Sequence, residues 1–395
     1  MTGLPEKTEK LKPYLVRLRR ELHACAELGL CEYKTSAVVQ RELKKLGLPF
    51  KVTANTGVVA LLKGARPGKI IAVRADMDAL PVTEETGLAF ASKKRGVAHS
   101  CGHDAHMTCA LGLAKLFKEN QKALKGSVKF IFQPSEEMGE VNLDGAKKMI
   151  EAGAMKNPVP SAVIGLHVST PLKTGSIELT YGKVYANADL FEVTVKGVGG
   201  HASAPEKTVD PIVAAAAIVL NLQSIVARNV SPLESAVISV SLIRGGETSN
   251  VIPPKVRLLG TVRTLENKTK GLIKRRMRQV IRSTAKAYRA AADFKYTDGY
   301  PSFSNNKKMA KLIERAGIKL LGKDKVHIAV RPSMGGENFG NFAKLAPAAF
   351  FNLGANSGKK QTAYSLHHPK FDIDEAALPV GTAILARACL DFLNG

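Results

Sequence analysis

The sequence predicts a two-domain α/β protein in which a smaller α+β domain interrupts the larger one. A chain of 395 residues is too long for one ordinary hydrophobic core. Strand-like apolar runs followed by helical patterns fill residues 1–185 and return over residues 298–395. Between them, over residues 186–297, the strand patterns alternate as half-exposed strands do. This change predicts an inserted domain of the ferredoxin-like, split βαβ kind.

The first part of the chain divides into elements by local pattern. Helical spacing predicts helices over 9–22 and 35–46, the second of which ends before Gly47. The β-branched runs 57–62 and 69–74 are separated by Pro67-Gly68, which predicts a hairpin or meander. The next elements are predicted as helices over 104–120 and 144–152 and strands over 127–133 and 161–166.

The middle and last parts follow the same rules. The predicted inserted domain contains strands over 188–196, 236–243 and 256–263 and helices over 210–227 and 266–292. These segments form two β-α-β units. The returning larger domain contains a helix over 305–321, a strand over 347–353 and a last helix over 375–393. Sites in α/β sheets lie beyond the carboxyl ends of the strands, so side chains at those ends are the candidates for function.

The composition indicates the cellular compartment of the protein. Hydrophobic residues make up 45% of the chain, yet no apolar run approaches the ~18 residues of a membrane span, so no membrane partner is expected. The N-terminal residues are polar and charged, without the apolar stretch of a secretory signal. The five cysteines are few and odd in number, which favours a reducing cytoplasm over a disulfide framework.

The net charge of +24 allows a nucleic-acid partner, an anionic substrate or only a lysine-rich surface. The densest basic segment, 272–292, has an apolar stripe at helical spacing and its arginines on another face. This pattern favours a surface helix with a solvated basic side. Because no aromatic interleaving or nucleic-acid motif accompanies it, a nucleic-acid partner is not expected.

The stretch His99-Ser100-Cys101-Gly102-His103-Asp104-Ala105-His106 concentrates metal-ligand side chains. Cys101 and His103 flank a glycine, which lets the backbone bend so that both side chains face one point. Thiolate and imidazole are ligands that a borderline-soft divalent metal prefers. A buried cysteine beside a surface histidine is the plainer interpretation. The position between an apparent loop and a long helix favours a functional loop.

Further candidates stand at strand ends. Asp76 and Asp78 could be metal ligands, turn acids, or residues that orient ligand histidines; the last is favoured. Glu136 and Glu137 follow a buried-looking strand, and because adjacent side chains diverge, one can bind a metal while its neighbour faces a water. An exposed acidic turn is the alternative. His167 ends another apolar strand.

Nine short segments, spread over nearly the whole chain, match one known family in the right order. They are Leu22-His23 with Glu27-Leu28, Arg74-Ala75-Asp76-Met77-Asp78-Ala79-Leu80-Pro81, Cys101-Gly102-His103-Asp104, Phe132-Gln133-Pro134-Ser135-Glu136-Glu137, Gly165-Leu166-His167, Gly200-His201, Asn250-Val251-Ile252-Pro253, Gly260-Thr261-Val262-Arg263 and Leu366-His367-x-Pro369. The chain resembles the M20 metallopeptidases, in particular the N-acyl-amino-acid amidohydrolases, hippurate hydrolases and carboxypeptidases. Two departures are Ala26 in place of Pro, and Gly335-Gly336-Glu337-Asn338-Phe339 where many relatives have Ser-Glu-Asp-Phe.

The resemblance implies a zinc-exopeptidase-like catalytic domain, with the inserted domain as a dimerisation and lid domain. It implies that the metal ligands are Cys101, His103, Glu137, His167 and His367. It implies that Glu136 is the general acid/base, that His201 stabilises the oxyanion from a partner subunit, and that Asn250 and Arg263 bind substrate. Five ligands exceed the three of a usual catalytic zinc site, so two divalent ions are expected. Zinc is the expected metal, and Mn or Co is compatible.

The remaining histidines have plainer roles. His23, His99 and His106 are expected to be structural or to orient ligands, and His327 to lie at the surface. The spacing of relatives favours His367 over its neighbour His368 as the ligand.

The expected activity is metal-dependent hydrolysis of the amide bond of N-acyl amino acids, or of the C-terminal peptide bond of short N-blocked peptides. One alternative is a dedicated N-acetyl or N-succinyl amino-acid deacylase of a biosynthetic pathway. Another, from a different class, is a basic nucleic-acid-binding protein. The resemblance implies a homodimer, or a tetramer, formed through the inserted domain.

Overall fold

The computed structural model describes residues 3–138 and 143–395. Residues 1, 2 and 139–142, which the predicted catalytic domain includes, lie outside the described residues. The helices are α1 (Leu4–Lys10), α2 (Lys12–Ala24), α3 (Tyr33–Lys45), α4 (His103–Glu119), α5 (Gly145–Glu151), α6 (Pro211–Asn229), α7 (Asn267–Ala287), α8 (Lys307–Leu321), α9 (Gly340–Ala343) and α10 (Ala377–Asn394). The strands are β1 (Phe50–Thr53), β2 (Gly57–Lys63), β3 (Arg66–Asp76), β4 (Lys125–Gln133), β5 (Ala162–Lys173), β6 (Ile177–Thr180), β7 (Gly182–Tyr185), β8 (Asn187–Lys196), β9 (Gly200–His201), β10 (Ala236–Arg244), β11 (Val251–Ile252), β12 (Lys255–Thr264), β13 (Ala291–Tyr300), β14 (Phe303–Asn305), β15 (Val326–Ala329) and β16 (Ala348–Asn356).

The chain divides into two compact units. The first comprises residues 1–184, 304–331 and 338–395, and the second comprises residues 185–303 and 332–337. The second unit therefore begins one residue before the predicted inserted domain, ends six residues after it, and takes in a short segment from much later in the chain.

The first unit is built on a mixed eight-stranded sheet in the order β1-β2-β4-β3-β5-β16-β6-β15. Its central strands β4, β3, β5 and β16 run parallel. The inner strands read as almost continuous apolar runs because both faces are covered, as parallel sheets require. Helix α4 is buried along nearly its whole length and packs against α2 and α10. The α/β class predicted from the sequence is confirmed.

The predicted pairing of runs 57–62 and 69–74 is wrong. Strand β4 lies between β2 and β3 and pairs with both. The chain crosses the start of β4 at Gly64, whose N–H donates to the carbonyl of Gly126 at 2.8 Å. A Cβ at position 64 would lie 2.4 Å from the carbonyl oxygen of Leu124, so only glycine fits this crossing. Pro67 and Gly68 form part of β3 instead of a turn.

The strand register places the carboxyl ends of β3, β4 and β5, which carry candidate site residues, side by side. Asp76 lies opposite Gln133, the last residue of β4. Arg74 lies opposite Gly165, so His167, two residues further along β5, is level with Asp76. Because β3, β4 and β5 are parallel, their carboxyl-end side chains meet at one edge of the sheet, where ligands bind in α/β proteins.

The second unit has the connectivity β8-α6-β10-β12-α7-β13 and an antiparallel sheet in the order β10-β12-β8-β13. Both helices share one apolar core with the strands. This is the ferredoxin-like arrangement predicted for the inserted domain. The helix predicted over 266–292 ends at Ala287 instead, and Arg289 adopts a left-handed backbone (φ +60°). The strand β13 that follows was missed, because the run Ala290-Ala291-Ala292 continues a helical pattern as readily as it begins a strand.

Two described helices are long and apolar enough to cross a membrane, α6 and α10. Most of α10 (72%) is buried within the protein, as in a core helix. A third of α6 (33%) is buried, on the side that packs on the four-stranded sheet. A helix that covers a sheet passes the same test of length and composition, so the absence of a membrane partner stays a prediction.

Candidate metal centre

The loop before α4 brings Cys101 and His103 to the sheet edge. Between them Gly102 adopts a left-handed backbone (φ +84°). A Cβ at this position would lie 2.3 Å from Cγ2 of Val168, which follows His167 on β5. Glycine therefore satisfies two demands at once, the turn and the close approach of the loop to the strand.

The five predicted ligands lie together in the first unit. Ligand atoms of Cys101, His103 and His167 lie within 4.8 Å of one another, and so do those of Cys101, Glu137 and His367. Cys101 Sγ is 3.3 Å from His167 Nε2. Glu137 Oε1 is 3.4 Å from His367 Nε2 and 3.7 Å from His103 Nε2. The thiol is thus common to two overlapping triads of ligand atoms.

The histidine tautomers suit metal binding. Nδ1 of His103 donates to the carbonyl of Asp78 at 2.8 Å, and Nδ1 of His167 donates to the carbonyl of Val168 at 2.7 Å. In its neutral form, with the proton on Nδ1, each ring presents its Nε2 lone pair to the other candidate ligands. Such a hydrogen bond on the far ring nitrogen is the usual support of a metal-bound histidine.

Unsatisfied buried atoms indicate that a cation belongs here. Among the described residues, His103 Nε2 and Glu137 Oε1 are buried and have no hydrogen-bond partner. Buried polar atoms are rarely left unpaired, because their desolvation costs free energy. Burial opposes protonation of His103, yet Asp76 raises its pKa well above the ordinary value, with Asp78 and Cys101 adding to the effect. The cluster therefore favours positive charge, and its donor set fits divalent cations.

Burial also sets the electrostatics of the other ligands. It raises the pKa of the Cys101 thiol well above its ordinary value, and Glu137 adds to this effect. It lowers the pKa of His167 to about 3, so this imidazole is neutral and its Nε2 is a lone-pair donor. Although burial acts in the opposite direction, the imidazole of His367 holds the pKa of Glu137 below its ordinary value.

Asp76 connects several groups around the cluster. Its Oδ1 accepts from Nδ1 of His106 at 2.6 Å, and its Oδ2 accepts from the buried Arg74 at 2.7 Å. Nε2 of His106 in turn accepts from the N–H of Val168 at 2.9 Å. Burial opposes ionisation of Asp76, but Arg74 and the histidines hold its pKa well below the ordinary value. This chain of bonds joins strand β3, helix α4 and strand β5.

Asp78 contacts two ligand segments. Its carbonyl holds His103, as described above, and its Oδ2 accepts from the N–H of Glu137 at 2.9 Å. Asp78 therefore contacts His103 through its backbone and Glu137 through its side chain.

Glu136 is buried beside the ligands, and its carboxylate lies within 4.8 Å of ligand atoms of His103 and Glu137. Ser135, the preceding residue, has a left-handed backbone (φ +50°). The chain turns at this residue, and both Glu136 and Glu137 come within 4.8 Å of His103. Oε1 of Glu136 accepts from the backbone N–H of Asn338 at 3.3 Å.

His367 completes the cluster from a loop near the C-terminus. Its backbone is left-handed (φ +68°), and its N–H donates to the carbonyl of Ser100 at 2.8 Å. This bond ties the loop to the segment of Cys101. The side chain of His367 is 54% exposed, so it is the ligand that faces solvent.

The other predicted site residues belong to the second unit. His201 on β9 pairs with Val251 on β11, which places Asn250 beside it. His201 is exposed, and its Nδ1 accepts from the N–H of Ser203 at 3.1 Å. Arg263 lies near the far end of β12, and burial lowers the pKa of its guanidinium. The unit thus brings His201 and Asn250 together but not Arg263.

The remaining histidines are accounted for separately. His23 contacts Asp104 (2.8 Å) and Glu84 (3.2 Å) in a buried network, away from the ligand atoms. His99 is buried without a hydrogen-bond partner on either ring nitrogen, and burial lowers its pKa to about 3. His327 is exposed on β15.

Sequence reasoning missed a buried polar network behind the cluster. It consists of Arg74, Gln133, Asp144 and Asn338. The available signals were the position of Arg74 two residues before Asp76, and the departure from relatives at Asn338. Neither signal reveals a hydrogen bond between residues 264 positions apart in the chain.

A mixed α/β domain with two overlapping triads of metal-ligand atoms beside a buried glutamate defines a metallohydrolase. The chain matches the peptidase family M20/M25/M40 over residues 72–391 and belongs to that family. The predicted resemblance is confirmed, and the protein is a hydrolase.

Relatives match over the whole length. The chain is 36% identical over 394 residues to thermostable carboxypeptidase 1 of Saccharolobus solfataricus, covering 99% of this chain and 98% of the relative. It is 38% identical over 385 residues to N-acetylcysteine deacetylase of Bacillus subtilis, covering 96% and 97%. The crystal structure of the Bacillus subtilis YXEP protein, a dinuclear metal-binding peptidase of the M20 family, superposes with a TM-score of 0.82 at 34% identity, covering 98% and 99%.

Proposed function

We propose that the protein hydrolyses the amide bond of N-acyl amino acids or the C-terminal peptide bond of short N-blocked peptides. The observation that carries this proposal is the placement of Glu136 beside two ligand triads that share Cys101. The names of the relatives, a carboxypeptidase and an N-acetylamino-acid deacetylase, describe the same bond in two settings. Both reactions break an amide whose leaving amine belongs to an amino acid.

We propose two divalent cations per subunit, held by Cys101, His103, Glu137, His167 and His367. A thiolate with three imidazoles and one carboxylate favours zinc, and Mn or Co is also compatible. Bound there, two cations would lower the pKa of a water and polarise the scissile carbonyl.

Glu136 is the proposed proton carrier. As a base it accepts a proton from the attacking water, and as an acid it delivers that proton to the amine as the C–N bond breaks. The N–H of Asn338 holds its carboxylate, and Asp78 holds the neighbouring His103 and Glu137. We further propose that His201 stabilises the oxyanion and that Asn250 and Arg263 bind the substrate.

Replacement of Glu136 by Gln tests the mechanism. We expect turnover to fall by about 100-fold or more, with metal content unchanged, because a carboxamide cannot carry the proton. Glu151→Gln, an exposed glutamate on α5, is the matched control and should retain wild-type turnover. Near-normal turnover of the Glu136 variant at full metal occupancy would refute the mechanism.

A substrate panel separates the general hydrolase from a dedicated deacylase. N-acetyl, N-succinyl, N-benzoyl and N-benzyloxycarbonyl amino acids would be compared by kcat/KM. A general enzyme accepts several acyl groups within roughly two orders of magnitude, whereas a single strongly preferred acyl group favours the dedicated enzyme.

We propose a homodimer formed through the second unit. Strand β10 is an edge of its sheet, and exposed edges pair readily with another strand. Apolar side chains are exposed on this strand and on α6: Ile212, Val213, Leu220, Leu242 and Ile243. Light scattering of Ile243→Lys should show a smaller assembly than wild type, while Val159→Lys in the first unit should not. If both variants form tetramers, the proposed dimer interface is wrong.

A reducing, cytoplasmic location is proposed from the cysteines. All five are free in the structure, including the buried Cys101, Cys109 and Cys389. Because a metal-binding thiolate is sensitive to oxidation, such a site suits a reducing compartment.

A further inference from the structure

Asn338 occupies the position where many relatives have Asp, and it lies inside the protein. Its side chain is completely buried. Its Oδ1 accepts from Arg74 Nη2 at 2.9 Å and from Gln133 Nε2 at 2.9 Å. Its Nδ2 donates to the carbonyl of Ser135 at 3.3 Å and to Asp144 Oδ1 at 3.2 Å. Both lone pairs and both protons of the amide are therefore used.

Only an amide satisfies these four partners. A carboxylate at position 338 could accept from Arg74 and Gln133, but it could not donate to the carbonyl of Ser135. It would also place a second buried negative charge about 3 Å from Asp144, where two carboxylates cannot both ionise. Asp144 is fully buried and caps α5 by accepting from the N–H of Lys147. The carboxylate of Asp144 thus requires a hydrogen-bond donor at position 338.

The same residue touches the catalytic machinery. The backbone N–H of Asn338 donates to Glu136 Oε1, and its side chain holds the carbonyl of Ser135, the residue immediately before Glu136. Through Arg74 it is also linked to Asp76. Asn338 therefore contacts Glu136 through its backbone and the preceding Ser135 through its side chain.

We propose that Asn338 is a positioning residue for Glu136, and that its identity as an amide is set by Asp144. This inference rests on the proposed role of Glu136 as proton carrier. It assigns the departure from relatives at this position to the positioning of Glu136 by a buried residue.

The test compares Asn338→Asp with Asn341→Asp. Asn341 is a matched control, since it is also buried and its Nδ2 donates to Asp144 Oδ2 at 2.8 Å. An acid at either position creates the same repulsion with Asp144. Of the two asparagines, however, it is Asn338 that contacts Glu136 and Ser135 in the described structure. Unfolding midpoint, metal content, kcat and KM would be measured for each variant.

We expect both single variants to lose thermal stability, but kcat to fall by about tenfold or more only in Asn338→Asp, with KM and metal content nearly unchanged. The double variant Asn338→Asp/Asp144→Asn exchanges the acid and the amide. It should recover part of the lost kcat and of the lost stability, because the pair again has one donor and one charge, although the carbonyl of Ser135 still lacks its donor.

Several results would overturn the inference. They are an equal loss of kcat in Asn341→Asp, a loss confined to KM, or a double variant no better than Asn338→Asp. Should Asn338→Asp fail to fold, the double variant alone decides, because its recovery or failure measures the same coupling. Failure of the proposed function would show separately, as normal turnover of Glu136→Gln.

Discussion

Arg19 on α2 and Asp104 on α4 form an ion pair in which both side chains are buried, with 2.8 Å between Nε and Oδ2. Asp104 follows His103 directly, so the pair anchors the first turn of α4 beside a proposed metal ligand. Arg19 also donates to Asp372 at 2.7 Å, on the loop that carries His367. A single guanidinium therefore holds two of the segments that carry the proposed ligands.

Loss of this guanidinium should destabilise the fold strongly. We expect Arg19→Gln to lower the free energy of unfolding by about 3–5 kcal/mol, because it leaves the Asp104 carboxylate buried without its cation. Arg20→Gln is the control: Arg20 is 48% exposed and pairs with Glu375, so its loss should cost about 1 kcal/mol or less. Denaturant titration of the metal-free proteins measures both, and equal effects would contradict the prediction.

The glycine between the first two ligands should be irreplaceable for steric reasons. Gly102→Ala and Gly87→Ala both place alanine at a left-handed backbone, with φ of +84° and +71°. A new Cβ at 87 meets nothing within 4 Å, whereas at 102 it meets Val168 at 2.3 Å. We expect each to lose about 1 kcal/mol from backbone strain, and Gly102→Ala to lose a further 1–3 kcal/mol from overlap. The metal affinity of Gly102→Ala should fall as well, which calorimetric titration would measure. Equal losses of stability in the two variants would refute the steric argument.

Metal binding should strengthen as pH rises. Burial and Glu137 raise the pKa of the Cys101 thiol, so the apo site holds its proton at neutral pH and must release it to bind a cation. Affinity for Zn²⁺ should therefore increase about tenfold or more per pH unit, measured by calorimetry on chelator-treated protein. Cys101→Ser should flatten this slope and weaken binding, while the exposed Cys31→Ser should leave both unchanged. A wild-type slope in Cys101→Ser would exclude the thiol as the source.

Glu32 should make the metal-free fold less stable above neutral pH. Burial raises its pKa from 4.5 to about 7, and Asp78 adds to this effect. A carboxyl whose folded-state pKa is raised contributes most at low pH and loses that contribution as pH rises from about 4.5 through about 7. Glu32→Gln keeps an acceptor for the Ser135 N–H and removes the charge. Relative to wild type, the variant should gain about 2–3 kcal/mol of unfolding free energy between about pH 5 and pH 8. A constant difference across that range would contradict the assignment.

Local patterns predicted the side chains that the structure brings together, because each candidate ligand or base stands in a short segment of a few residues. Cys101-Gly102-His103 and Glu136-Glu137 could be recognised within a few residues, and the structure brings them together with His167 and His367. The pairing of β2 with β4 could not be recognised in this way. The chain crosses β4 at Gly64, and β4 is formed by residues about sixty positions later. Strand β13 was hidden in an alanine run that suits either element.

The contacts of Asn338 show the other limit of sequence reasoning. A departure from relatives was visible, but its meaning depends on Asp144, which nothing nearby in the sequence connects to it. Strand register and helix periodicity describe neighbours along an element. Buried polar networks join elements that are distant in the chain, so they emerge only from the folded structure.

The insertion of one unit into another has a consequence for biosynthesis. Cys101, His103, Glu137 and His167 all precede the inserted segment, while His367 leaves the ribosome some 200 residues after His167. The first triad of candidate ligand atoms is therefore synthesised early, and the second only when translation is nearly complete. On the proposed ligand set, the hydrolytic centre would remain incomplete until the last part of the polypeptide arrives.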